Sequence, residues 1–252
     1  MYLVKDFLVA MDSIAPFSLA ESRDNVGLLA GGEDIAVTGA LVALDATAAV
    51  LKEAAQLGAN LLITHHPIIF HPLYRLEKDS IPWQMAEKGM SVICAHTNLD
   101  IVQDGVNDVL AKRLCLSDVR HLTEEGIGRV GELCIPMTAE VFAGYVKGKL
   151  QAPGVKYSDT GSMIRTVAIC SGSGSDYWDA AARSGADAYL SGELAHHVWV
   201  DAVHRGVSLV EAGHFYTENP IVAPLAKKLG ALLPEVKIHA SQFSNDQTQF
   251  SL

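Results

Sequence analysis

The chain is poor in cysteine: four among 252 residues, at Cys94, Cys115, Cys134 and Cys170, with no C-x-x-C pair. That spacing excludes a zinc knuckle or a disulfide frame, and a chain of this length buries enough core to need neither. Two of the four lie in apolar, strand-like runs, and we read all of them as reduced core thiols of a cytoplasmic protein. No hydrophobic run reaches membrane-spanning length. The opening MYLVKDFLVAMDSIAP sets Lys5 and Asp6 among its apolar residues, which suits an amphipathic helix and spoils a signal-peptide core. Positive charge is scarce as well: 19 Lys and Arg against 29 Asp and Glu give a formal net charge of −10. Such a balance argues against duplex nucleic acid as the main partner. There is no G-x-S-x-G elbow and no P-loop. CSGSGSD, residues 170–176, is not a dinucleotide fingerprint, because Tyr177 stands where the third glycine belongs. A tight turn with Asp176 as helix cap is the preferred reading there over a phosphate loop.

What the sequence does contain is alternation. From residue 39 the order is apolar GALVALD, helix-like ATAAVLKEAAQLGA, apolar NLLIT, helix-like IPWQMAEKGM and apolar SVICAHTNLD, the pattern of βαβ units on a largely parallel sheet. The second half repeats it with RTVAICSG, SDYWDAAARSGA, DAYLSGE, LAHHVWVDAVHRG and VSLVEAGHFYTE. Laying KGMSVICAHTNLD over RGVSLVEAGHFYTE pairs His96 with His214 and Asp100 with Glu218, which points to an internal duplication. The glycine-rich EEGIGRVGELCIPMT marks a boundary near residue 125, followed by a helix that Thr138 caps. The expected fold class is α/β: two related α/β lobes with strand-helix alternation and a metal site in the cleft between them. The first lobe spans 1–125 and the second 126–252, with a C-terminal segment able to pack back on the first. The polar end SNDQTQFSL is expected to be loosely held.

In parallel sheets ligands gather beyond the carboxyl ends of strands. His65, His66, His96 and Asp100 lie at such ends. Adjacent histidines on a strand point to opposite faces. Pro67 disfavours helix at His66, so the strand ends in an extended turn where the two rings diverge and can each reach a different ion. Taken singly, a histidine is more often a surface or satisfied core residue than a ligand. The matched histidine and acid pairs tip the reading to a metal site with His65, His66, Asp100, His214 and Glu218 as ligands. Imidazole and carboxylate without thiolate suit zinc, manganese or iron in an exchangeable or catalytic site. Five ligands exceed one three-ligand zinc and suit two ions sharing Asp100 or Glu218. Asn219 as an N-cap and Pro220 as first helical residue would set Glu218 just before a helix, with Pro224 awkward inside it. Glu193 and His96 are the candidates for a catalytic base or for holding a ligand from behind, and His196 and His197 are weaker ones.

THHP, HTNLD and GHFYTE, with DNVGLL at 24–29, resemble the motifs of the Nif-three-like dinuclear metal proteins, often labelled GTP cyclohydrolase I type 2 homologues. The resemblance spans nearly the whole chain, with the motifs in the family's order. It implies metal ligands at the same five residues, two α/β lobes, two divalent ions per chain and a ring-shaped homohexamer. Arg23 departs from the family's usual tryptophan, and the chain is too short for the extra middle domain of longer members. The implied activity is a dinuclear metal-dependent hydrolase in which metal-activated water attacks a nucleotide-like substrate, as in opening a purine ring. The alternative is a non-catalytic metal-binding scaffold or regulatory protein.

Overall fold

The runs ALVA at 40–43, LLIT at 61–64 and SVIC at 91–94 are buried at every position, as parallel strands covered on both faces must be. The computed structural model describes residues 1–248, so the last four residues of the polar C-terminal stretch lie outside the described residues. Two units emerge: Met1–Val102 with Ile221–Asn245, and Gln103–Pro220 with the residues from Asp246 on.

The first unit runs α1 (Val4–Ile14), β1 (Gly27–Ala30), β2 (Ala40–Ala43), α2 (Ala48–Gln56), β3 (Leu61–Thr64), α3 (Ile81–Glu87), β4 (Ser91–Cys94) and α4 (Thr97–Ile101). The second begins with α5 (Val106–Arg113), β5 (Ser117–His121), β6 (Arg129–Met137) and α6 (Ala139–Leu150). It continues with β7 (Lys156–Tyr157), β8 (Ile164–Ser173), α7 (Trp178–Arg183), β9 (Ala188–Glu193), α8 (His196–His204), β10 (Ser208–Glu211) and α9 (His214–Glu218). The chain then returns to the first unit with α10 (Val222–Leu232) and β11 (Ile238–Ala240). One sheet has the order β1-β4-β3-β2-β11, parallel except for β1. The other has the order β5-β6-β8-β9-β10-β7, with β8, β9 and β10 parallel and the rest antiparallel.

Helix starts follow their caps: Thr47 Oγ1 accepts from Val50 N at the head of α2, and Thr138 Oγ1 from Val141 N at the head of α6. On the sheet side, α2 buries Val50, Leu51 and Ala54 with Leu41, Leu62 and Val92. The boundary expected near 125 falls instead at 102/103. The reason is packing: β5 pairs with β6, and Leu110 and Leu114 share a core with Phe142, Val146, Val167 and Leu190.

The two units repeat one plan. The run α1-β1-β2-α2-β3-α3-β4-α4 has its counterpart in α6-β7-β8-α7-β9-α8-β10-α9, with β1 antiparallel to β4 and β7 antiparallel to β10. Even the turn before the middle strand recurs. Gly58-Ala59-Asn60 and Gly185-Ala186-Asp187 each start from a positive-φ glycine, and Asn60 Oδ1 accepts from Thr38 N as Asp187 Oδ2 accepts from Arg165 N, both at 2.9 Å. The sheet register nevertheless corrects the pairing read from the sequence. Ser91 opposes Leu61 and Ser208 opposes Ala188; counting on from these serines, His96 corresponds to Gly213 and Asp100 to Thr217. Gly213 and His96 are indeed the residues that cap α9 and α4.

Three local expectations change. Cys94 and Cys170 are buried, but Cys115 and Cys134 are exposed, so only two of the thiols are core thiols; Cys115 follows the end of a surface helix, and Cys134 lies in the exposed outer half of β6. Asp176 does not cap a helix, because Ser175–Tyr177 form a 3-10 turn and Tyr177 takes the cap position of α7. Asn219 likewise opens the 3-10 turn Asn219–Ile221. The following helix starts at Val222 and tolerates Pro224 in its first turn, where the backbone donor has no helical partner anyway.

Candidate metal centre

At the carboxyl end of β3 the chain stops being a strand after Thr64. Strand alternation no longer applies to His65 and His66, and their rings lie 5.0 Å apart between centroids. Divergence onto opposite faces, expected from the sequence, is thus replaced by convergence. His96, just beyond β4, joins them at 5.1 Å from His65 and 5.7 Å from His66. One ring nitrogen of each of the three falls within 4.8 Å of the others.

Each ring is held from behind by an acceptor. His65 Nδ1 meets Ala95 O at 3.0 Å, His66 Nδ1 meets Asp45 Oδ1 at 2.7 Å, and His96 Nδ1 meets Asp24 Oδ1 at 2.9 Å. A carbonyl or carboxylate can only accept, so Nδ1 donates in each neutral ring and the lone pair sits on Nε2. That is the arrangement by which metal-binding histidines are oriented and made more basic. His65 Nε2 also lies 3.6 Å from Asp100 Oδ1, on α4. The nearby thiol takes no part. Burial, then the charge of Asp24, push the Cys94 thiol far above its ordinary range, and it donates to His65 O instead.

Asp24 and Asp45 are functional residues whose roles the sequence reading did not assign, although DNVGLL and GALVALD contain them. Asp24 accepts from His96 and from Thr97 through both N (3.0 Å) and Oγ1 (2.5 Å). Burial works to raise its pKa, but the hydrogen bonds from His96 and Thr97 outweigh it and keep the carboxyl well below the usual range.

In the second unit, His214 and Glu218 stand four apart on α9, hence on one face, with Nε2 and Oε2 3.0 Å apart. Glu193, the last residue of β9, places Oε2 3.4 Å from His214 Nδ1. Glu218 is buried, and its carboxylate rests over Gly172, which has a φ of +61°. A Cβ on Gly172 would overlap Oε1 and lie 3.0 Å from Cδ. Gly192 makes similar room, since a Cβ there would come within 2.8 Å of His214 Cα. Gly172 N donates to Thr217 Oγ1, so the CSGSGSD turn serves as the bed of α9. His196 and His197 lie exposed on α8.

The structure thus gathers His65, His66, His96 and Asp100 in the first unit, and Glu193, His214 and Glu218 in the second. His96, expected as a candidate catalytic base or as a support behind a ligand, is presented in the same way as His65 and His66. The donors are nitrogen and oxygen, neutral or anionic, and fit zinc, manganese or iron(II). No helix among the described residues is long and apolar enough to cross a membrane.

Comparison with known proteins places the chain in a family. Residues 2–247 match the Duf34/NIF3 (NGG1p interacting factor 3) family. A relative from Clostridium acetobutylicum called "GTP cyclohydrolase 1 type 2 homolog" is 34% identical over 248 residues, covering 94% of this chain and 92% of its own. Among solved structures, a hypothetical protein of Staphylococcus aureus is 30% identical, with a TM-score of 0.93 over 99% of both chains. The reduced form of HcgD from Methanocaldococcus jannaschii is 29% identical, with a TM-score of 0.81 over 96% of this chain and 98% of that one. With the family's pattern matched almost from end to end, the chain belongs to the Duf34/NIF3 family.

Proposed function

We propose that the protein binds two divalent ions through His65, His66, Asp100, His214 and Glu218, and that it is a metal-dependent hydrolase acting on a nucleotide-like substrate. The observation that carries this reading is the anchored imidazole set: three neighbouring rings, each with Nδ1 committed to an acceptor. When bound, such ions supply Lewis-acid polarisation and acidify water towards neutrality. The chain's own part is to fix and orient. Ala95 O, Asp45 and Asp24 hold the rings, Gly172 and Gly192 leave space for Glu218 and His214, and Glu193 is placed to take a proton beside His214. The curated relatives' name suggests a purine nucleotide as substrate, and family membership supports a homohexameric ring in the cytoplasm.

The test is metal analysis of protein purified without chelator, followed by a panel of nucleotides and phosphoesters with added manganese or zinc. Up to two ions per chain and a turnover abolished by His66→Ala are expected. Saturation at one ion, with Asp100→Ala harmless, would refute the dinuclear centre. Two bound ions with no turnover anywhere on the panel would refute the hydrolase and leave a metal-binding scaffold. Light scattering that finds a stable monomer would remove the ring.

A further inference from the structure

Cys115 follows α5 with a left-handed φ of 54° and an exposed side chain. Lys149, in the last turn of α6, donates from Nζ to Cys115 Sγ at 3.3 Å. The same ammonium sits 5.2 Å from the Tyr145 ring centroid, and the Tyr145 hydroxyl donates to Leu114 O at 2.8 Å. Thiol, ammonium and phenol therefore form one surface cluster. Two fields compete at the sulfur. The carboxyl end of α5 disfavours a negative charge, but it carries only a fraction of a charge; Lys149 brings a whole one into direct contact. The hydrogen bond from Lys149 lowers the Cys115 pKa, and the same contact raises that of Lys149.

We propose that Cys115 is a redox-modification site: a surface thiol activated by Lys149 that forms a mixed disulfide with low-molecular-weight disulfides. The Cys115 sulfur attacks one sulfur of the incoming disulfide, a new S–S bond forms and the old one breaks. The departing thiolate carries away the electron pair and takes a proton from solvent, so Cys115 is oxidised as the leaving sulfur is reduced. Cys134 is the internal control, being likewise exposed and with no ammonium in hydrogen-bond contact among the described residues.

The experiment uses the whole chain, reduced, with oxidised glutathione at pH 7, and follows each cysteine peptide by mass spectrometry. As a thiol pKa is lowered the thiolate population rises faster than its nucleophilicity falls, so Cys115 should react measurably faster than Cys134. Lys149→Met should bring Cys115 down to the rate of Cys134, and Lys149→Arg should preserve most of the difference. Cys94 and Cys170, both buried, stay unmodified while the protein is folded and so report on each variant; should Lys149→Met unfold, the wild-type ratio and Lys149→Arg decide. Equal rates for Cys115 and Cys134 in the wild type, or a Cys115 rate unmoved in folded Lys149→Met, overturn the proposal.

Discussion

Gly172→Ala separates two demands that the bed of Glu218 makes on one position. The first is backbone: φ is +61°, and a side chain there costs about 1–2 kcal/mol. The second is space, because the new Cβ would overlap Glu218 Oε1 and press on Cδ at 3.0 Å and on His214 Nε2 at 3.2 Å. Glu218 is 4% exposed, so it cannot swing into water, and displacing it breaks buried polar contacts at about 1–3 kcal/mol. The sum is about 2–5 kcal/mol. Gly58→Ala supplies the reference: its φ is +68°, and among the described residues nothing lies within 4 Å of an added Cβ, so only the backbone cost of about 1–2 kcal/mol applies. Urea unfolding of metal-free protein should show Gly172→Ala losing clearly more stability than Gly58→Ala. Metal analysis should show Gly172→Ala alone losing bound ion. Equal losses of stability, with metal binding intact in both, would refute the idea that Gly172 is glycine in order to seat Glu218.

Asp45→Asn weakens the acceptor for His66 Nδ1 and should lower metal affinity about 10- to 100-fold; a calorimetric titration with zinc that matches the wild type would contradict it. Asp108→Ala removes one carboxylate contact from the buried Arg129 guanidinium, which keeps Gly126 O and Gly128 O, and should cost about 3 kcal/mol in urea unfolding, at the low end for a broken buried pair because Asp108 is partly accessible. Asp187→Ala removes the acceptor for the backbone donors of Arg165 and Thr166, and Asn60→Ala removes that for Thr38. Water can reach these donors, so each should cost about 0.5–1.5 kcal/mol in urea unfolding, and a loss in only one of them would break the equivalence of the two turns.

The strand-helix alternation was legible because a parallel strand buried on both faces is apolar along its core, as ALVAL, LLI and VICA are within GALVALD, NLLIT and SVICAH. Helix caps at Thr138 and the amphipathic α1 were legible for similarly local reasons. The boundary was not, since the glycines near 126–131 mark a turn inside the second sheet, while the true division depends on which core Leu110 and Leu114 join. Register was the other loss. A string match tolerates a one-residue gap, but a sheet does not, because a shift of one residue turns every side chain to the other face. The acids behind the histidines were invisible for a different reason: Asp24 reaches His96 across 72 positions and Asp45 reaches His66 across 21, and nothing local to either announces the partner.

The corrected register explains how one plan came to carry two kinds of donor. Thr64 and Ser191 hold equivalent places, opposite Ala43 and Cys170 respectively. Gly192 therefore stands where the first unit has His65, and Glu193 where it has His66. The first unit uses these positions for imidazoles. The second empties one of them to glycine, carries a carboxylate at the other and admits His214 from α9 into the vacated space, while Glu218 takes the room over Gly172 where β8 bulges.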